Sequence, residues 1–66
     1  MKNRIRVARA EVRMTQQQLA EAVGVSRQTV NAIESGKFVP STLLALKIAR
    51  LFGKSVEELF SLDEEE

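Results

Sequence analysis

Four side chains between Ser26 and Ser35 could do specific chemistry together: Arg27, Gln28, Asn31 and Ala32. On a helix, successive residues turn by about 100°, and Val30 and Ile33 then mark the buried direction. The four named residues fall on the opposite side. A guanidinium there offers a fork of donors, each primary amide offers a donor beside an acceptor, and the alanine offers a methyl. These groups match the edges of base pairs in a DNA major groove: arginine against guanine, glutamine or asparagine against adenine, alanine against the thymine methyl. A merely solvated helix face is polar too, but it more often carries Glu and Lys, which pair four residues apart. Neither occurs among these outward residues.

Groups suited to phosphate surround that face. Gln16 would stand at the N-terminus of the preceding helix, where its amide, free backbone N–H groups and the helix dipole converge. Thr29 flanks the same side, Ser26 could touch a phosphate as well as cap the helix, and Lys37 follows just after it. Each has a plainer alternative, capping for Ser26 and solvation for Lys37, because phosphate contacts are numerous and interchangeable.

The elements that must hold these groups are legible from punctuation. Apolar residues recur three and four apart almost everywhere and strand signals are weak, so an all-α chain of five helices is expected. The first helix covers roughly residues 2 to 12, with Ile5, Ala8 and Val12 on one face. Thr15 caps a second over about 15–23, where Gln18 completes a capping box ahead of Leu19, Ala20 and Val23, and Gly24 ends it. Ser26 caps the third, about 26–35, so only a few residues separate the two helices and they must cross sharply. Phe38-Val39-Pro40 breaks the pattern. Ser41 caps a fourth helix whose Leu43, Leu44, Leu46, Ile48, Leu51 and Phe52 make it the most apolar and place it at the centre of the core. After Gly53, Ser55 and Glu58 form another capping box for a short fifth helix containing Val56, Leu59 and Phe60. Residues 61–66, Ser-Leu-Asp-Glu-Glu-Glu, carry too little apolar content to fold alone. The expected division is therefore a DNA-binding domain over 1–60 and an acidic tail over 61–66.

Size and composition narrow the function. A chain of 66 residues buries only about 60% of the surface its unfolded form exposes, and without cysteine no disulfide can reinforce the thin core. The lack of both histidine and cysteine closes the usual zinc sites, and no cofactor or small-molecule ligand is indicated. No apolar stretch approaches a membrane span, and the basic opening lacks the apolar core of an export signal, so a cytoplasmic location is expected. The net charge of +1 conceals segregation: residues 1–54 hold ten basic against three acidic side chains, whereas residues 55–66 hold six acidic and no basic ones. A body of +7 and a tail of −6 suit a polyanion-binding surface, although a solvated charged surface would show the same totals.

The run from Thr15 to Lys37, TQQQLAEAVGVSRQTVNAIESGK, resembles the helix-turn-helix of the phage Cro and repressor family, the Xre-type regulators. The similarity continues through Pro40-Ser41 and Leu44–Ala49 to Val56–Phe60, nearly the whole chain. It implies a compact five-helix fold, a third helix lying in the major groove, and dimers on two-fold symmetric operators. It also implies DNA contacts at Gln16, Arg27, Gln28, Thr29, Asn31 and Lys37, three of which the helical projection selects independently. Arg9 falls on the apolar face of the first helix, where an unpaired charge is costly, and the resemblance implies Glu34 as its partner. Two departures stand out. Many relatives have glycine in place of Arg13, so the turn after the first helix either differs or is strained. Val7 and Val12 occupy positions that are more often polar.

An enzyme is disfavoured, since there is no histidine, cysteine or tyrosine, no glycine-rich phosphate loop, and the carboxylates gather in the tail. Single-stranded RNA is disfavoured because Phe38, Phe52 and Phe60 mostly occupy core-like positions instead of forming an exposed stacking surface. The competing class is a protein-binding module, such as an antitoxin or accessory factor on the same fold. A homodimer is expected because one helix reads few base pairs, with Val56, Leu59, Phe60 and Leu62 as its interface. An intramolecular fifth helix packed on the fourth would use the same residues, Leu59 in particular.

Overall fold

Four of the five helices start where a hydroxyl oxygen can accept a bond from an otherwise unpaired N–H of the first turn. In the computed structural model, which describes residues 1–66, the chain order is β1 (Lys2–Asn3), α1 (Ile5–Glu11), α2 (Gln16–Val23), α3 (Arg27–Glu34), α4 (Thr42–Phe52), α5 (Val56–Leu59) and β2 (Phe60–Ser61). Thr15 Oγ1 accepts from Gln18 N at 3.0 Å while Gln18 Oε1 accepts from Thr15 N at 2.9 Å. Ser55 and Glu58 repeat this reciprocal box at 3.1 and 2.8 Å. Ser26 and Ser41 cap α3 and α4 through Thr29 N and Leu44 N, each at 3.1 Å. Between α2 and α3, Gly24 takes the left-handed conformation, φ 76°, which glycine adopts without a Cβ penalty. Val25 N then closes onto Ala20 O at 3.0 Å, and only Gly24, Val25 and Ser26 separate α2 from α3.

One apolar cluster joins all five helices: Ile5 and Ala8 of α1, Leu19, Ala20 and Val23 of α2, Val30 and Ile33 of α3, Leu44, Ile48 and Ala49 of α4, and Leu59 and Phe60. The expected all-α, five-helix class holds, with one addition. A two-stranded antiparallel ribbon ties the two ends of the chain together, Lys2 opposite Ser61 and Asn3 opposite Phe60. Arg4 N extends it by donating to Leu59 O at 2.8 Å.

The ribbon changes several expectations. The first helix starts at Ile5 because Asn3 competes for the local backbone: its Oδ1 accepts from Ile5 N at 3.2 Å and its Nδ2 donates to Ile33 O at 2.8 Å. A boundary after residue 60 would cut β2, since Ser61 pairs with Lys2. The tail beyond it turns back on itself, Glu66 N donating to Asp63 O at 3.0 Å. Its carboxylates meet the terminal ammonium of Met1, Asp63 Oδ2 at 2.8 Å and Glu66 Oε2 at 3.2 Å.

Burial corrects the dimer surface too. Leu59 and Phe60 are only 1% and 7% exposed, packed in the core by the chain reversal at the end of α5, so Leu59 offers no area to a second subunit and Phe60 only the edge that lines the depressions beside Met1 and Val56. Val56 is half-buried and Leu62 is exposed. On α4 Leu44, Ile48 and Ala49 are buried and Ala45 and Phe52 pack half-buried against the core, whereas Leu43, Leu46 and Leu51 are exposed. Val12 is exposed rather than sharing the buried face of Ile5 and Ala8, because α1 has already ended at Glu11. Phe38 lies open to solvent beyond the end of α3, and only Phe60 of the three phenylalanines is fully in the core.

Candidate nucleic-acid interface

Val30 and Ile33 anchor α3 in the core, each only 2% exposed. This turns Arg27, Gln28 and Asn31 outward, and these three alone line a concavity of about 310 Å³. All three are exposed; Ala32 and Thr29 are half-buried at the margins of the same face. Neither Arg27, Gln28 nor Asn31 spends its side chain on a hydrogen bond within the protein, so their donors and acceptors remain available. Ser26 and Thr29 are differently placed. Their hydroxyls lie 3.0 Å apart, and Ser26 Oγ already accepts from Thr29 N. The pair shares two internal hydrogen bonds and retains hydroxyl capacity toward solvent.

The C-terminal end of α3 fixes Lys37. Ala32 O accepts from Lys37 N at 2.9 Å and Phe38 N at 3.2 Å, with Ser35 Oγ adding a third donor at 3.2 Å. Gly36 makes this closure possible at φ 80°, and the ammonium of Lys37 emerges exposed just past the helix.

Gln16 begins α2 and lies beside the opposite edge of α3 through Glu34. The Glu34 side chain is 1% exposed and collects donors from two other helices. Arg9 Nε donates to Oε2 at 2.6 Å and Arg9 Nη2 to Oε1 at 3.0 Å, a two-point pairing. Gln16 Nε2 donates to Oε1 at 3.2 Å. Arg9 also donates through Nη1 to Met14 O at 2.9 Å, so its guanidinium links α1 and α3 to the turn before α2. Burial alone would push the Glu34 carboxyl up, but the hydrogen bonds from Arg9 and Gln16, with the charges of Arg9 and Arg6, hold it below the ordinary carboxylate value. The same pairing raises Arg9 above the usual guanidinium value.

Two features escaped the sequence reading. Arg6 Nε stands 3.6 Å from Glu34 Oε1; its spacing of one helical turn from Arg9 was the available signal. Asn3, which bonds the backbone carbonyl of Ile33, had no signal, since its partner lies 30 residues away. Arg13, where a strained turn was one alternative, does take a left-handed conformation at φ 56°.

Comparison with known proteins adds a lineage to this geometry. A helix-turn-helix family model matches residues 5–59. The chain is 52% identical over 65 residues to YgzD of Bacillus subtilis, described as an uncharacterized HTH-type transcriptional regulator, covering 98% of each chain. An uncharacterized HTH-type transcriptional regulator of Methanocaldococcus jannaschii is 48% identical over 66 residues, the full length of both. Among solved structures, a Bacteroides fragilis protein superposes with a TM-score of 0.79 at 36% identity, covering 88% of this chain and 94% of that one. The clp gene regulator ClgR of Corynebacterium glutamicum gives 0.75 at 31% identity, covering 82% of this chain and 57% of its own.

Proposed function

Because this chain belongs to the helix-turn-helix family of Xre/Cro-type transcriptional regulators, we propose that it binds double-stranded DNA sequence-specifically, with α3 in the major groove. The observation that carries this reading is the concavity lined by Arg27, Gln28 and Asn31, opposite a buried Val30 and Ile33. A rigid helix thus presents uncommitted base-reading groups. Arg27 donates to guanine, Gln28 and Asn31 pair with adenine edges, and Ala32 packs against a thymine methyl. Gln16, Ser26, Thr29 and Lys37 hold the phosphate backbone on both sides and set the register of the helix.

The protein acts in the cytoplasm as a repressor, occupying an operator that is two-fold symmetric because two copies bind it. One recognition helix contacts only a few base pairs, and two set about 34 Å apart double the sequence read. The second copy packs on the surface around Val56 and Leu62. Exposed Val39 and Leu46 extend this surface: with Met1 and Val56 they line a depression of about 200 Å³, and Met1 and Val56 also line an adjoining one of about 420 Å³ with Leu62. An exposed apolar surface of this kind is what a homodimer covers.

Selection of random duplexes by the purified chain tests the reading. A palindromic consensus is the expected result. Recovery of no preferred sequence, with binding indifferent to salt, would overturn it and favour a protein-binding role on the same fold.

A further inference from the structure

Glu34 has one negative charge, and two guanidinium groups approach it. Arg9 takes both carboxylate oxygens and is 15% exposed, whereas Arg6 stands at 3.6 Å from Oε1, makes no hydrogen bond and is 73% exposed. The carboxylate is therefore neutralised and hydrogen-bonded without Arg6, whose charge is left over. That surplus cation is not isolated. Gln16 Nε2 donates to the same oxygen, Glu34 Oε1, at 3.2 Å, and a primary amide nitrogen carries a second N–H that this bond does not use. Arg6 of α1 and Gln16 of α2 thus stand side by side at one carboxylate oxygen. They form a corner with an excess positive charge and unspent donors in reach of one small anion.

We infer that Arg6 and Gln16 together clamp one phosphodiester of the DNA backbone, with Glu34 as the post that orients both. The inference rests on the DNA-binding reading and deepens it, since it adds Arg6, on the first helix, to the contacts made by α2 and α3. On binding, Arg6 exchanges its loose approach to Glu34 for charge-assisted hydrogen bonds from its terminal amino groups to phosphate oxygens. Glu34 keeps every hydrogen bond, from Arg9 and Gln16, and gives up only the Coulombic attraction of Arg6. Gln16 retains its bond to Glu34 and turns its second N–H to the same phosphate.

The test is the salt dependence of binding to the selected duplex and to a scrambled one, for the parent protein and for Arg6→Ala, Arg6→Gln and Arg6→Lys. Each neutralised phosphate contributes about 0.9 to the magnitude of the log–log slope. Arg6→Ala and Arg6→Gln should each lower that magnitude by about 0.9 and weaken both duplexes by the same factor, and Arg6→Lys should keep the slope. Duplexes with single uncharged methylphosphonates locate the contact: one position per half-site should weaken the parent protein and lose most of its effect in Arg6→Ala, which keeps only the Gln16 contact. That same position should lose part of its effect in Gln16→Ala. An unchanged slope in Arg6→Ala and Arg6→Gln, with base preference still dependent on Gln28, overturns the clamp alone. Parent protein that binds neither duplex overturns both the clamp and the DNA-binding reading. Thermal melts of the exposed Arg6 variants matching the parent would establish that the changes in slope arise from contact and not from unfolding.

Discussion

At the scale of single residues, readers of bases and holders of phosphate should separate cleanly by substitution. Gln28→Ala and Arg27→Ala are expected to cost about 1–3 kcal/mol on the preferred site and to relax preference at particular base pairs. Lys37→Ala should weaken all duplexes alike, since an exposed ammonium past the helix end neutralises charge without reading sequence. Competition binding against single-base variants of the selected site distinguishes them, and unaltered base preference in both alanine variants of α3 would disprove the assigned face. Arg13 offers a different residue-scale experiment. It holds φ 56°, a conformation that costs a residue with a Cβ about 1–2 kcal/mol, part of which glycine regains despite its floppier unfolded chain. Arg13→Gly should therefore raise the thermal midpoint, and a lowered midpoint would mean the exposed arginine side chain contributes more than its backbone costs.

Among elements, the junction of α1, α2 and α3 at Glu34 is the most consequential, because the pose of the recognition helix depends on it. The carboxyl is held below its ordinary value in the folded protein. Its contribution to stability is thus complete above the unfolded value near 4.5 and is lost as pH falls through the lowered folded value. Below that point the proton displaces the charge that Arg9 and Gln16 bond. Glu34→Gln should cost about 1–3 kcal/mol at neutral pH by leaving Arg9 poorly paired, and it should flatten the acid limb of stability against pH. Melts of the two proteins across that limb provide the measurement; parallel curves would show that acid unfolding begins at another carboxylate. Capping works at the same scale but locally: the four hydroxyl caps each contribute about 1 kcal/mol, and none needs a distant partner.

For the whole molecule, the outcome that matters is which apolar residues remain outside. Leu62 is 69% exposed and Leu46 is 54% exposed, whereas Phe60 is 7% exposed. Leu62→Asp and Leu46→Asp should leave the monomer folded and shift it from dimer to monomer in sedimentation equilibrium, with weaker binding to a palindromic site. Phe60→Asp should instead unfold the chain, because it buries a charge in the only core available. A dimer that survives both leucine substitutions would move the interface elsewhere, and a monomeric parent protein at tens of micromolar, about ten-thousandfold above nanomolar binding, would remove it.

The starts of α2 to α5, the turn at Gly24 and the outward face of α3 were legible from the amino-acid order because each depends on neighbours three or four residues away, whereas α1 starts later than its periodicity suggested because Lys2 and Asn3 pair as a strand. Thr15 with Gln18, Ser26 with Thr29 and Ser55 with Glu58 make their bonds within one turn, and the period of the helix places Arg27, Gln28 and Asn31 opposite Val30 and Ile33. The fourth helix was less legible for a physical reason: six large apolar residues surround it, so periodicity names no single inner face. Packing chose Leu44 and Ile48 and left Leu43 and Leu46 outside. The two-residue strands have no period at all, and their pairing joins residues nearly the whole chain apart. That closure carried Leu59 and Phe60 into the core and away from the expected interface. Glu34 gained Arg6 and Gln16 as neighbours in the same way, since only the crossing of three helices brings their side chains to one carboxylate oxygen.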